Sequence, residues 1–282
     1  MTTRRAARNA GFHLALGLLC IFAVFPAIWM VITIFKRDQD LYNPENNPFL
    51  FNLPPTLGNL DLLFTRTNYP VFLWNSFFIG VIVVAITLVL SVPAAYSLSR
   101  LMGRWGERSG IAIFLVYLIP PTLLFIPLYQ IVTLLGAANT IWSLVLVYPT
   151  ITVPFCTWLL LGFFRSIPRE IEEAALTDGW SRLAVFFRVA LPLALPGIAT
   201  CVVFAFALSL SDYIYAAVFV SATASRTVSA GVPTELIRGD IFYWQALMAA
   251  TAIVGIPLAV VYGLLFDRLV QGFQGDAGRR AR

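Results

Sequence analysis

SGIAIFLVYLIPPTLLFIPLYQIVTLLGAANTIWSLVLVYPTITVPFCTWLLLGFF, residues 109–164, contains no charged side chain. An apolar helix rises 1.5 Å per residue, and about 20 residues cross the hydrocarbon of a bilayer, so this run is far too long for one crossing. The cluster Leu135-Gly136-Ala137-Ala138-Asn139-Thr140 is small and polar, suited to a tight turn, and divides the run into spans at about 111–134 and 142–163. Working outward, the other charge-free runs are 9–35, 67–99, 189–211 and 241–266. Each holds one span, at about 12–34, 76–98, 193–216 and 244–266. The sequence therefore predicts an all-α membrane protein with six transmembrane helices.

Composition agrees. Charged residues make up 12% of the 282 and hydrophobic residues 59%, with a mean hydropathy of +0.83, whereas soluble domains carry about 25% charged residues. With six spans, the N-terminus, the 100–108 turn, the 165–190 loop and the C-terminus share one side, which collects fourteen of the nineteen lysines and arginines. That asymmetry places both termini in the cytoplasm. It also explains the basic pI of about 9.3 without a nucleic-acid partner, since no single exposed face gathers the charge. The apolar stretch after Arg8 is longer than a signal-peptide core and reads as an anchor. No composition shift marks a second domain, so residues 1–282 read as one transmembrane domain in contact with lipid, with external segments at 36–72 and 217–243. Cys20, Cys156 and Cys201 fall inside predicted spans and, with the lone His13, assemble no metal site. Pro120, Pro121, Pro127, Pro149, Pro154, Pro192 and Pro196 either kink helices around a path or are simply tolerated, as membrane helices tolerate proline.

The longest loop on the basic side carries an unexpected concentration of charge. EEAALTDGWSRLAVFFRVALPLALPG, residues 172–197, has three carboxylates and two arginines. Ser166 and Pro168 suit a helix start, after which Glu170, Glu172 and Glu173 fall in the early turns, where carboxylates complement the helix dipole. Gly179 is a natural stop because it accepts positive φ. Ser181 suits the cap of a second helix, in which Leu183 and Phe187 share a face. Two short helices meeting at Asp178-Gly179, with small residues beside exposed acids, form a docking shape for a grooved, basic partner. The alternative is an amphipathic hairpin lying on the headgroups, which an anionic inner leaflet disfavours for acids.

The spacing of Glu173-Ala174-Ala175, Gly179, Val189 and Leu191-Pro192 resembles the EAA loop of ABC-importer permeases: EAA, three residues, Gly, nine residues, Ile, one residue, Leu-Pro. Val189 stands for the Ile, and Trp180 departs from the small residue usual at its position. Asn75-Ser76, Ala94-Ala95-Tyr96-Ser97-Leu98-Ser99-Arg100 and the tail at 270–278 are similar to the carbohydrate-uptake branch, in particular to the second, shorter permease of maltose importers. Ser211-Asp212-Tyr213 departs from the family's usual Trp-Asn-Glu. The resemblance implies the type I importer architecture in a bacterial or archaeal cytoplasmic (inner) membrane. It implies a second permease subunit, two ATPase subunits that hold the ATP and magnesium, and an extracytoplasmic substrate-binding protein. Glu173, Ala174, Ala175, Asp178, Gly179, Leu191 and Pro192 would then couple to the ATPase, and this chain would bind no cofactor of its own. Sugar import is the implied transport.

For the substrate path the candidates are Asp212, Tyr213 and Tyr215. The tyrosines either stack on a sugar or belong to the interfacial belt, and Asp212 either accepts hydroxyl hydrogen bonds or pairs with a loop arginine. An ion-coupled carrier is the rival transporter reading, and a non-sugar solute the rival cargo, but the spans hold almost no ionisable residue of the kind that marks such carriers. The chain has no GxxxxGK[ST] loop and no nucleophile–base pair, so neither ATP hydrolysis nor intramembrane catalysis is expected of it.

Overall fold

The computed structural model describes residues 2–277. In chain order the helices are α1 Thr2–Ile34, α2 Asp38–Leu41, α3 Gly58–Thr65, α4 Tyr69–Arg100, α5 Gly103–Tyr117, α6 Pro121–Leu134 and α7 Ile141–Ser166. There follow α8 Arg169–Thr177, α9 Arg182–Val185, a π turn Phe186–Ala190, α10 Leu191–Leu193, α11 Leu195–Ser211, α12 Ile214–Phe219 and α13 Val228–Leu236. A two-stranded hairpin of β1 Ile237–Arg238 and β2 Ile241–Phe242 leads into α14 Trp244–Ala277. The contacts gather in two units, Met1–Tyr69 with Val232–Ile256, and Pro70–Gly231 with Pro257–Arg282.

Four helices are long and apolar enough to cross a membrane unbroken, within Gly11–Ile34, Tyr69–Arg100, Ile141–Ser166 and Trp244–Leu264. Two bent pairs pass the same test together, α5 with α6 at 89° and Arg182–Leu193 with Leu195–Ser211 at 71°. The expected single helix at 111–134 is therefore two helices nearly at right angles. Pro121 has no amide hydrogen to continue the ladder and bars Pro120 from the helical region; Pro120 takes φ −55°, ψ 122°. The expected span 193–216 likewise ends at Ser211. Asp212 is extended, and its Oδ2 accepts from the amides of Tyr215 (3.0 Å) and Ala216 (3.2 Å), starting α12 instead. By contrast Pro149 and Pro154 lie within the continuous helix α7. The turn after Leu134 falls where the sequence places it, with Gly136 and Asn139 both at positive φ.

In the first unit the carbonyls at the end of α1 are satisfied from the following segment: Asn59 Nδ2 donates to Ile34 O (2.8 Å) and Lys36 O (2.9 Å). Lys36 is itself fully buried, donating to Leu50 O at 2.6 Å and lying 3.6 Å from Asp40. Asp40 accepts from Asn52 Nδ2 at 2.8 Å, so the Pro- and Asn-rich stretch closes as an ordered clamp on one cation. Most of α1 beyond that clamp exposes apolar side chains, Phe22 at 80%. Such a surface belongs against lipid tails or another apolar chain.

In the second unit α4 and α7 build two buried clusters, one with α12 and the other with the segment from the π turn into α11. One is built around Ile79, Val83, Leu144, Tyr148, Tyr215 and Phe219, the other around Leu98, Leu160, Phe164, Ala190, Ala194 and Cys201. A buried Thr87–Thr152 hydrogen bond of 2.6 Å ties α4 to α7, an interaction that membrane helices use where apolar burial gives no drive. Helix α5 approaches so closely that a Cβ on Gly106 would lie 1.9 Å from Leu98 O. The second cluster carries the loop described next.

Candidate functional site

Helix α8 begins after Pro168, and its acids at Glu170 and Glu172 fall in the first turn. It ends in a Schellman cap: Trp180 N donates to Ala175 O (3.1 Å) and Gly179 N to Leu176 O (3.1 Å), with Gly179 at φ +87°. A residue with a Cβ is disfavoured there, which is the physical content of a glycine four residues after the second alanine. Ser181 Oγ accepts from Ala184 N at 3.3 Å and caps the next helix, as its position predicts. That helix runs from Arg182 through the π turn to Leu193; Leu191 N donates to Phe186 O, a widening that accommodates Pro192, which has no amide to give.

Adjacent helical residues point about 100° apart, and the two neighbouring glutamates take opposite fates. Glu173 is exposed, while Glu172 is buried. Arg100 Nε donates to Glu172 Oε1 at 2.7 Å, and Tyr96 OH donates to Glu172 Oε2 at 2.9 Å. Arg100 Nη2 also reaches Ile167 O (2.8 Å), and Arg169 Nη2 reaches Ser99 O (3.3 Å). Tyr96 in turn packs against Phe164 and Phe186, with ring centroids 5.5 and 4.8 Å away. Both arms of this latch come from one turn of α4, so α8 is fastened to the end of a long apolar helix. Sequence reasoning grouped Glu172 with the exposed acids; the structure corrects that. The available signal was Arg100, a charge ending an otherwise charge-free helix, with Tyr96 one turn before it.

Around the latch, Ala174, Asp178 and Gly179 are exposed with Glu173, Ala175 and Leu191 are half-buried, and Pro192 is exposed. Ile171, Leu176, Trp180, Leu183 and Phe187 are exposed apolar side chains on the same loop. The Arg188 guanidinium carbon stands 5.5 Å above the Trp180 ring, a cation–π contact bridging the turn. An apolar surface beside unspent carboxylates is what a docking element presents.

The three substrate-path candidates separate. Tyr213 is 54% exposed. Tyr215 is buried, stacked on Phe219 at 5.6 Å, with its hydroxyl donating to Pro121 O. Asp212 accepts from Tyr148 OH at 3.1 Å and from the α12 amides. It does receive a hydroxyl, but from the protein itself.

Comparison with known proteins places these features in a family. Residues 88–275 match the model of the binding-protein-dependent transport system inner membrane component. The sulfoquinovosyl glycerol transport system permease protein of Agrobacterium fabrum is 33% identical over 261 residues, covering 92% of this chain and 90% of that one. The trehalose/maltose transport system permease protein of Thermococcus litoralis is 31% identical over 266 residues, covering 92% and 93%. A bacterial ABC transporter that imports the acidic polysaccharide alginate has a chain of the same fold, with TM-score 0.79 over 93% of this chain and 97% of that one at 20% identity. The EAA spacing is typical of this group. The chain thus belongs to the inner-membrane permease components of binding-protein-dependent ABC transport systems.

Proposed function

We propose that this chain is one of two permease subunits that line the path of an ATP-driven importer for a sugar or related polyol. The observation that carries the reading is the loop 165–190: a capped helix–turn–helix whose Glu173 and Asp178 are exposed while the adjacent Glu172 is locked to α4. A motion imposed on such a helix by a partner passes directly into the membrane bundle. On this reading each bent pair counts as one crossing, giving six spans with both termini in the cytoplasm, in keeping with the arginine distribution. Two cytoplasmic ATPases hold ATP and magnesium, each receiving one EAA loop, and this chain binds no cofactor. A binding protein outside the membrane delivers the solute, consistent with the family's description. The carbohydrate assignment draws on the relatives' names. For Asp212 and Tyr215 the reading is structural support of the path's wall, leaving Tyr213 as the side chain free to meet cargo.

The test is co-purification of the tagged chain with its ATPase, wild type beside Glu173→Arg and Gly179→Pro, with transport driven by the binding protein. Wild type should retain the ATPase and both variants lose it or its coupling. If all three assemble and transport alike, the loop is not the transmission element, and import driven by an ion gradient becomes the reading to pursue.

A further inference from the structure

A cavity of about 580 Å³ opens where the α4–α5 turn meets the α7–α8 junction, lined by Ser99, Arg100, Gly103, Arg165, Arg169 and Glu170 among others. It lies beside the latch and shares Ser99, Arg100 and Arg169 with it, while Arg165 and Glu170 belong to the cavity alone. We propose that this cavity binds a phosphate group, that of an anionic phospholipid of the inner leaflet.

The charge balance favours an anion. Of the three guanidiniums that line it, Arg100 is paired with Glu172, which leaves Arg165 and Arg169 facing Glu170 alone. Arg100 has spent Nε and Nη2 on Glu172 and Ile167 O, and Arg169 has spent one nitrogen on Ser99 O at 3.3 Å. Arg165 is exposed and makes no hydrogen bond or ion pair with the described residues. Planar guanidinium forks match phosphate oxygens in pairs, and the volume exceeds what a single carboxylate side chain would fill.

Position favours a lipid as the source. The cavity sits at the ends of two spanning helices, the level at which a leaflet's phosphates lie. Flanking its lining residue Gly103 in the chain, Leu101, Met102 and Trp105 expose apolar surface, Trp105 at 67%, with Arg108 5.5 Å over its ring. Tryptophan beside arginine at a helix end is an interfacial anchor, and the three apolar side chains offer an acyl chain a seat. That this end faces the anionic leaflet rests on the orientation in the proposed function. Because Arg169 and Arg100 also hold α8, an occupant here steadies the start of the coupling helix.

The experiment uses the assembled importer in nanodiscs of phosphatidylcholine with a minor share of phosphatidylglycerol, and counts lipid retained after mild delipidation by native mass spectrometry. Wild type should retain phosphatidylglycerol in preference to phosphatidylcholine. Arg165→Gln and Arg169→Gln should each weaken that retention about fivefold, the effect of one arginine at an anionic surface. Arg104→Gln, an exposed arginine of the same turn that does not line the cavity, should leave it unchanged. A parallel arm adds inorganic phosphate to delipidated importer. Phosphate adducts lost in Arg165→Gln, without lipid preference, would assign the site to a soluble phosphate and overturn the lipid source. Equal retention in wild type and both cavity variants, or an equal loss in Arg104→Gln, overturns the site itself. The same spectra report whether the ATPase is present. Its absence counts against the proposed function, and the permease alone still reports its lipid.

Discussion

Replacing Glu172 with alanine removes the one group that joins α8 to two side chains of α4. The carboxylate and its Arg100 partner are each only 8% exposed, at 2.7 Å, and the Tyr96 hydroxyl is 2.9 Å from the second oxygen. Removing one member of a buried ion pair costs about 3–5 kcal/mol, because the other charge is left desolvated. Here Arg100 keeps its bond to Ile167 O, so the lower end, about 3 kcal/mol, applies. That is on the order of a hundredfold in the equilibrium between seated and unseated α8. The assay is hydrogen exchange of the amides of 169–177 in the assembled importer, read beside transport and ATP hydrolysis. Glu172→Ala should lose about a hundredfold in protection and hydrolyse ATP with little transport. Arg100→Ala should do the same, and the double variant should be little worse than either. A cycle in which the two changes simply add, with coupling under about 0.5 kcal/mol, would falsify the latch as a unit.

Other perturbations follow from the same geometry. Gly179→Ala meets nothing within 4 Å, so its cost comes only from the backbone at φ +87°, about 1–2 kcal/mol; Gly179→Asn should cost less, and exchange of the 175–180 amides ranks the two. Gly106→Ala sets a methyl 1.9 Å from the Leu98 carbonyl, a backbone atom that cannot swing away, so the variant should show lower yield and earlier thermal aggregation than Gly162→Ala, which meets no neighbour. The clamp around Lys36 should respond to acid. Burial pushes the Asp40 carboxyl up, but hydrogen bonds from Asn52 and Leu53 and the Lys36 charge outweigh it and hold the carboxyl below the usual 3.8. A depressed folded value gives stability that is present above 3.8 and lost as pH falls through the lower folded value. Exchange protection of segment 36–52 should thus be flat across about pH 5–8 and fall only below the ordinary carboxylate range, and Asp40→Asn should remove that acid step.

Much of the plan was legible along the chain because a bilayer demands long uncharged runs, and four of those runs form unbroken helices of spanning length while two are bent. The capped loop was legible too: Ser181 and Gly179 act through backbone groups two to four residues away, so spacing carries their roles. What escaped were events needing a partner distant in sequence. Whether a proline breaks a helix, as Pro121 does, or lies within one, as Pro149 does, depends on which neighbours receive the freed carbonyls. Tyr215 stood as a candidate for the path or for an interfacial belt, and Asp212 for a hydroxyl acceptor or an arginine partner; only packing shows one turned inward onto Phe219 and the other held by α12 and Tyr148. Lys36 read as one more outside charge until Asp40 and the carbonyls of Asn47 and Leu50 closed over it. The sequence by itself determined the membrane class, the helical content, the place of the loop and its turn, since these depend on hydrophobic length and local backbone chemistry. Tertiary structure alone decided that Glu172 faces inward and Glu173 outward, because a step of about 100° on a helix acquires meaning only once Arg100, 72 residues earlier, arrives to receive one of them.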